Sequence, residues 1–384
     1  IELLLDLGLI GFLSISSIFI ISLWGFLKKN YLTFSKTFYE RLIVMPSFLI
    51  IFAYTVVSLL ISLPYYLNIY KISFIDSVFE SFSGVTLTGF TTFTNIKQFD
   101  PTLILWRSSS QWIGGLYFLI FLILIFSNKQ LDFKLSNLTF LSDNISSSQS
   151  NTGNIIFKLL FIYAFTSSII FIFLIISDIR LFDGLNLAMS IVSTGGFLPT
   201  NSLDQIIKNK TQEIFLIISM IIPFLNLFFF LNILNKNNLL LKHKEDIYLL
   251  FFILIFSLIL LFSIDTLTMY EILISVISSM SNSGLAITEV SKNITLYFLL
   301  LTTIGGSVIS LTSGIKFLRF YILLKTSASE ILKLVRPNNI AKKNILNSEK
   351  KINNLNINTS FLIFISFFLS LFLLSGILVF DNIN

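Results

Sequence analysis

The sequence predicts an all-α polytopic membrane protein built of repeated helix–pore loop–helix units, three complete and a fourth truncated, arranged around one central axis. Its 384 residues are 55% hydrophobic and only 12% charged, with a mean hydropathy of +0.88, which leaves too little polar surface for soluble domains. Apolar stretches long enough to cross hydrocarbon recur along the whole chain. Between them, at one fixed spacing, an acidic residue is followed by a glycine that closes a Ser/Thr-rich turn: Asp76 to Gly89, Asp183 to Gly196 and Glu271 to Gly284.

The apolar stretches lie near 3–27, 42–63, 103–126, 155–176, 212–234, 247–264, 294–324 and 360–380. The first carries Glu2 and Asp6, lacks a basic start and has no small-residue cleavage site before Lys28 and Lys29. It therefore reads as a retained helix rather than a signal peptide. Residues 1–41 form an N-terminal membrane helix and a cytoplasmic loop. The first pore repeat is 42–126, the second 155–234, and the third 247–324, whose second helix is broken; 325–358 is a cytoplasmic linker. Residues 360–384 read as the first helix of an incomplete fourth repeat. The chain opens without Met and reaches Asn384 with no further turn, so upstream residues and a fourth turn are expected outside this sequence. Connecting loops vary in length while the core keeps its register, as in duplicated membrane units.

The three copies agree in detail. Ser83, Ser190 and Ser278 stand at one position, Thr86, Ser193 and Ser281 at the next, and Phe90, Phe197 and Leu285 directly follow the glycines. Each copy reads as a short helix whose acid favours the N-terminal dipole and whose last carbonyls point beyond its C-terminal end. Irregular backbone of this kind cannot face lipid and must line a wet cavity. Carbonyls and hydroxyls can replace the water around a monovalent cation without a fixed charge that would trap it, and glycine lets the turns approach closely. The candidate ion-binding residues are Thr86, Leu87, Thr88 and Gly89; Ser193, Thr194, Gly195 and Gly196; and Ser281, Asn282, Ser283 and Gly284. Glu80, near the first turn, either pairs with Arg107 or attracts ions.

A second constellation interrupts the helix after the third turn. Gly305, Gly306, Ser310, Thr312, Ser313, Gly314 and Lys316 make a small, hydroxyl-rich break within an apolar run and are candidate gate residues. Lys316 and Arg319 either supply positive charge beneath the turns or snorkel to headgroups. Trp106 and Trp112 are expected to anchor a helix at the interface.

Charge sets the orientation. All basic residues except Lys71, Lys97, Arg107, Arg180, Lys208, Lys210 and Lys292 fall on the side opposite the turns. By the positive-inside rule the turns open outward and the basic loops face the cytoplasm. The net charge of +6 is topological and attracts lipid headgroups; nothing points to nucleic acid. Cysteine is absent, and the single histidine, His243, sits in a polar loop. No converging acid, base, nucleophile or metal-ligand set exists, so the chain is not read as an enzyme and no cofactor is expected. The expected metal is K⁺ at the turn residues alone.

These motifs resemble the Trk/Ktr/HKT superfamily of cation transporters, and within it the TrkH-like potassium subunits. FESFSGVTLTGFTT at 79–92 is similar to the family's first filter loop, WRSSSQWIGGL at 106–116 to the start of the following helix, STGGF at 193–197 to the second filter and SNSGL at 281–285 to the third. IGGSVISLTSGIKFLR at 304–319 resembles its broken helix, and RPNNI at 336–340 its cytoplasmic His-Pro-Asn element. The resemblance implies potassium uptake through a selectivity filter of four loops around one pore, with an intramembrane gating loop below it. It further implies a homodimer, a cytoplasmic nucleotide-binding ring of the TrkA type as regulator, and residence as a multi-pass protein in the bacterial cytoplasmic membrane. One departure concerns the gate: the family's Gly-Ser-Thr-x-Gly-Gly-Ile-Lys stands here as Ile309-Ser310-Leu311-Thr312-Ser313-Gly314-Ile315-Lys316. A Na⁺-preferring or poorly selective paralogue, or a non-conducting membrane scaffold, is the alternative reading.

Overall fold

The computed structural model describes residues 37–68, 72–126, 152–226, 244–263, 267–287, 294–308, 310–336, 352 and 354–380. The expected helix at 3–27, the loop holding His243, position 309 and most of RPNNI lie outside these residues. Among the described residues all regular structure is helical. In chain order the α-helices are α1 (Thr37–Asn68), α2 (Phe74–Val85), α3 (Pro101–Phe126), α4 (Thr152–Ile176), α5 (Leu181–Ser193), α6 (Lys210–Ile221), α7 (Lys244–Ser263), α8 (Met269–Ser281), α9 (Thr295–Ile304), α10 (Phe317–Val335) and α11 (Asn354–Phe380).

The short helices α2, α5 and α8 start as their acids predict. Ser73 caps α2 by accepting from the Asp76 amide at 3.0 Å. Thr268 and Glu271 form a reciprocal capping box on α8, with Thr268 N donating to Glu271 Oε2 at 2.7 Å. At α5 the same position is held differently, because Asp183 pairs with Arg180 at 2.7 Å. Of the three acids, Glu271 caps its helix, Asp76 accepts from the hydroxyl of the capping Ser73 and Asp183 pairs with Arg180.

Long helix, short helix, turn and second helix follow one another in all three units, and the units interleave. The second helix of each of the first two units packs against the short helix of the next: α3 on α5, and α6 on α8. Lipid tails are as apolar as leucine, so membrane helices are held by close packing and polar contacts rather than by water exclusion. Glycines on α3 serve this purpose. A Cβ at Gly114 would overlap the Val85 carbonyl of α2, and one at Gly115 would lie 2.8 Å from the Tyr163 hydroxyl of α4. That hydroxyl in turn donates to Trp112 O at 3.0 Å. Outer surfaces are apolar, as lipid contact requires: Phe251 and Phe262 on α7 and Leu362 and Phe372 on α11 are all exposed. Among the described residues, Leu159–Ile176, Lys244–Ser263 and Asn356–Ile377 are long and apolar enough to cross a membrane.

Three expectations need correction. The stretch at 212–234 is not one helix, because α6 ends at Ile221 and a 3₁₀ turn, Ile222–Phe224, follows; Pro223 cannot continue an α-helical ladder. The linker at 325–358 is helical at both ends, since α10 runs on to Val335 and α11 begins at Asn354. Trp106 and Trp112 face protein rather than acting as belt anchors alone: the Trp106 indole donates to Ile61 O at 3.1 Å, and Trp112 packs on Tyr163 with ring centroids 5.2 Å apart.

This packing yields a direct expectation. Gly114→Val should destabilise the protein by about 1–3 kcal/mol, the usual cost of overpacking, whereas Gly376→Ala, where an added Cβ meets nothing within 4 Å, should be silent. Thermal unfolding in detergent measures both; equal melting temperatures would refute the close α2–α3 contact.

Candidate cation site

All three short helices end in the same backbone device. At the first, Thr88 N donates to Ser83 O at 2.9 Å and Leu87 N to Gly84 O at 3.1 Å. At the second, Gly195 N donates to Ser190 O at 3.0 Å and Thr194 N to Ile191 O at 3.1 Å. At the third, Ser283 N donates to Ser278 O at 3.1 Å and Asn282 N to Ser279 O at 3.2 Å. This is the Schellman pattern, whose left-handed residue is usually glycine. Here it is Leu87, Thr194 and Asn282, with φ of 62°, 57° and 57°. The glycines stand two residues later, also at positive φ: Gly89 at 77°, Gly196 at 82° and Gly284 at 65°. Each turn thus carries two residues at positive φ separated by one.

The glycines interlock. A Cβ on Gly89 would overlap the Gly195 carbonyl oxygen of the second turn, and one on Gly196 the Ser283 carbonyl oxygen of the third. One on Gly284 meets nothing within 4 Å. Between the turns lies a cavity of about 820 Å³, lined by Thr86, Leu87, Thr88 and Gly89, by Thr194 and Gly196, and by Ser281, Asn282, Ser283 and Gly284. Ser193 and Gly195, expected to line it, stand behind it. Among the described residues, no acidic or basic side chain lines this cavity. The recurrent hydroxyls face inward only in part, since Thr86 Oγ1 donates to Phe82 O at 2.6 Å, Ser193 Oγ to Met189 O at 2.8 Å and Ser281 Oγ to Ser278 O at 3.1 Å. They satisfy the open carbonyls of their own helix ends.

One face of α3 holds the first two turns together. Arg107 Nε meets Glu80 Oε1 at 2.7 Å, with side-chain exposures of 1% and 0%. Glu80 also receives Thr91 Oγ1 at 2.9 Å and the Thr92 amide at 3.2 Å, which fixes the stretch rising from the first turn. Arg107 Nη1 donates to Leu198 O at 3.1 Å, and its guanidinium lies 4.0 Å from the Phe197 ring centre, both beyond the second turn. Of the two readings of Glu80, the pairing is the one realised. One helical turn further, Gln111 Nε2 donates to Gly195 O at 2.6 Å while its Oε1 accepts from Phe197 N at 3.1 Å. Sequence reasoning passed over Gln111, although Arg107, Gln111 and Gly114 share one face of the helix at i, i+4 and i+7 spacing.

Below the turns, residues 305–316 leave the helix and return to it. Gly305 (φ 71°) and Gly314 (φ 89°) sit at the crossing, where a Cβ on Gly314 would lie 3.0 Å from Gly305 Cα. Backbone bonds close the loop: Ile315 N to Thr303 O and Phe317 N to Gly306 O, both at 3.0 Å. Gly306 N donates to Thr312 Oγ1 at 3.1 Å, and Ser310 Oγ lies 2.7 Å from that same hydroxyl. The Lys316 ammonium neither snorkels nor points freely at the cavity; it turns back to donate to Ser310 O at 3.2 Å and to Thr312 O. Of the candidate gate residues, Thr312 and Ser313 reach the cavity, while Gly305, Gly306, Ser310, Gly314 and Lys316 build the loop behind them. Asn282 Nδ2 of the third turn donates to Ser313 Oγ at 2.5 Å and to Thr302 O at 3.2 Å. From the other side, the buried Glu245 at the start of α7 accepts from Val308 N at 2.9 Å.

Removing one partner of a buried ion pair leaves the other charge uncompensated. Glu80→Gln should therefore cost about 3–5 kcal/mol, and the double variant Glu80→Met, Arg107→Leu should recover a large part of that loss. Unfolding in detergent checks the pair; a single variant as stable as the parent would show the contact to be dispensable.

A family model described as TrkH, cation transport protein, matches residues 15–288. The uncharacterized cation transporter MJ1485 of Methanocaldococcus jannaschii is 27% identical over 333 residues, covering 85% of this chain and 68% of that protein. The Trk system potassium uptake protein TrkG of Escherichia coli is 25% identical over 294 residues, covering 72% of this chain and 60% of that protein. This chain thus spans about three fifths of the length of the Escherichia coli relative. The crystal structure of the potassium transporter TrkH from Vibrio parahaemolyticus shares the fold, with a TM-score of 0.69 at 16% identity, over 95% of this chain and 83% of that one. These relatives are named as cation or potassium transport proteins, and with the family model matched across residues 15–288 this chain belongs to the TrkH family of cation transport proteins, a family of transporters and not of enzymes.

Proposed function

We propose that the chain conducts K⁺ across the cytoplasmic membrane of a prokaryote, through a filter made by the three turns and controlled by the 305–316 loop. The observation that carries this reading is the cavity between the turns, where residues of all three turns meet beside Thr302, Thr312 and Ser313 and apolar side chains such as Phe90 and Phe118, with no charged side chain among the described residues. Carbonyl and hydroxyl oxygens of such turns can substitute for water around a large monovalent ion and still release it. The transported ion is the only metal the reading requires, held by residues 86–89, by Thr194 and Gly196, and by residues 281–284. The open side of Gly284 is the place a fourth turn of the same kind would take. K⁺ is preferred over other cations because the Escherichia coli relative is named a potassium uptake protein. Selection for Na⁺ is the second reading, favoured by Asn282 in the third turn, whose carboxamide bonds the loop at Ser313.

The loop acts as the gate in this reading. It is stitched to the third turn by Asn282–Ser313 and to itself by Lys316, so opening it requires those bonds to part. A homodimer and a cytoplasmic nucleotide-binding ring of the TrkA type are the proposed partners, the ring meeting the basic cytoplasmic stretches. Pull-down of such a ring by the full chain, with and without nucleotide, tests that assembly.

Two flux measurements in proteoliposomes test the rest. Gly89→Ser and Gly196→Ser place a Cβ against the neighbouring turn and should lower the K⁺ to Na⁺ flux ratio about tenfold, the equivalent of ~1.4 kcal/mol, whereas Gly284→Ser should disturb it less. Unchanged ratios in the first two variants would remove the turns from the ion path. Ser313→Ala and Lys316→Met each take bonds from the loop and should raise K⁺ flux several-fold, one net hydrogen bond being worth about 1 kcal/mol; if both fold and conduct at the parental rate, the loop is no gate.

A further inference from the structure

We propose that Gln111 sets the ion preference of the filter by fixing the spacing of its first two turns from behind, without touching the ion. The proposal rests on the cation-filter reading above. Gln111 is fully buried and stands outside the cavity wall. Its carboxamide donates to Gly195 O at 2.6 Å and accepts from Phe197 N at 3.1 Å, bracketing Gly196 between two fixed backbone groups. One turn away, Arg107 holds Leu198 O at 3.1 Å. Three backbone groups within four residues of the second turn are therefore pinned to a single helix face.

The position before the filter glycine shows the same design. In the first and third turns it is Thr88 and Ser283, but in the second it is Gly195. A Cβ there would lie 2.6 Å from Gln111 Oε1 and 2.7 Å from its Nε2, so glycine at 195 is what admits the carboxamide. The carbonyl that Gln111 holds is also the one on which Gly89 rests, since a Cβ on Gly89 would overlap Gly195 O. Moving Gln111 therefore moves the shared boundary between two turns. An amide side chain is suited to this work because it offers a donor and an acceptor at once. Leucine offers neither, and asparagine withdraws both by one methylene.

The test uses the full chain in proteoliposomes, with K⁺ and Na⁺ uptake measured separately and in competition. Gln111→Leu removes two hydrogen bonds of ordinary net strength and should lower the K⁺ to Na⁺ flux ratio by about tenfold, with Gln111→Asn showing the same change to a smaller degree. Ser109→Ala, on a different face of the same helix, should leave the ratio at the parental value. A purely structural role lowers both fluxes together; a parental ratio in the folded Gln111→Leu protein, whatever the total flux, overturns the proposal. Should the leucine variant fail to fold, Gln111→Asn decides by the same ratio. If the parent protein itself carries no cation, the filter reading beneath the proposal fails, and that result is distinct from a conducting parent whose variants keep its ratio.

Discussion

The buried pair of Glu80 and Arg107 is the contact on which the arrangement of the turns depends. Each charge is removed from water, so neither is tolerable alone. The protein meets this cost by giving each partner further bonds: Glu80 takes Thr91 and Thr92 from the stretch after the first turn, and Arg107 reaches Leu198 and Phe197 after the second. A hydrophobic pair of equal volume could supply comparable stability. It could not specify which backbone groups of two separate turns lie against one helix, and that positional information is what the charges add.

Strain is the second theme. Leu87, Thr194 and Asn282 hold a left-handed conformation that costs a non-glycine residue about 1–2 kcal/mol, and all three occupy the same place in their turns. The surrounding bonds over-determine that conformation, as is typical where backbone geometry serves a site. Placing glycine two residues later reserves the residue without a side chain for the point where turns touch. At Gly89 and Gly196 the closeness of neighbouring turns demands glycine, while at Gly284 the positive φ of 65° is what favours it.

Much of this was legible in the sequence, and the boundary is physical. The register of the three turns, their acid-led starts and the break at Gly305–Gly314 follow from local spacing, because capping, dipoles and backbone freedom act within a few residues. Partners across the fold do not. Nothing local says that Thr86, Ser193 and Ser281 spend their hydroxyls on their own helices, since an inward and a backward rotamer are equally compatible with the spacing. Gln111 was missed because a lone amide on an apolar helix carries no periodic signal; only the presence of Arg107 and Gly114 on its face marks it. Lys316 fits neither sequence-level reading because its acceptors come from a loop whose path the sequence does not specify.

The overlap of the glycines gives the ring a direction. Gly89 of the first turn is set against the second and Gly196 of the second against the third, while a Cβ on Gly284 of the third would meet nothing within 4 Å. The turn bonded to the loop is the one whose glycine has an open side, where a fourth turn of the same kind would close the ring, and the turns bound to α3 form the wall across from it.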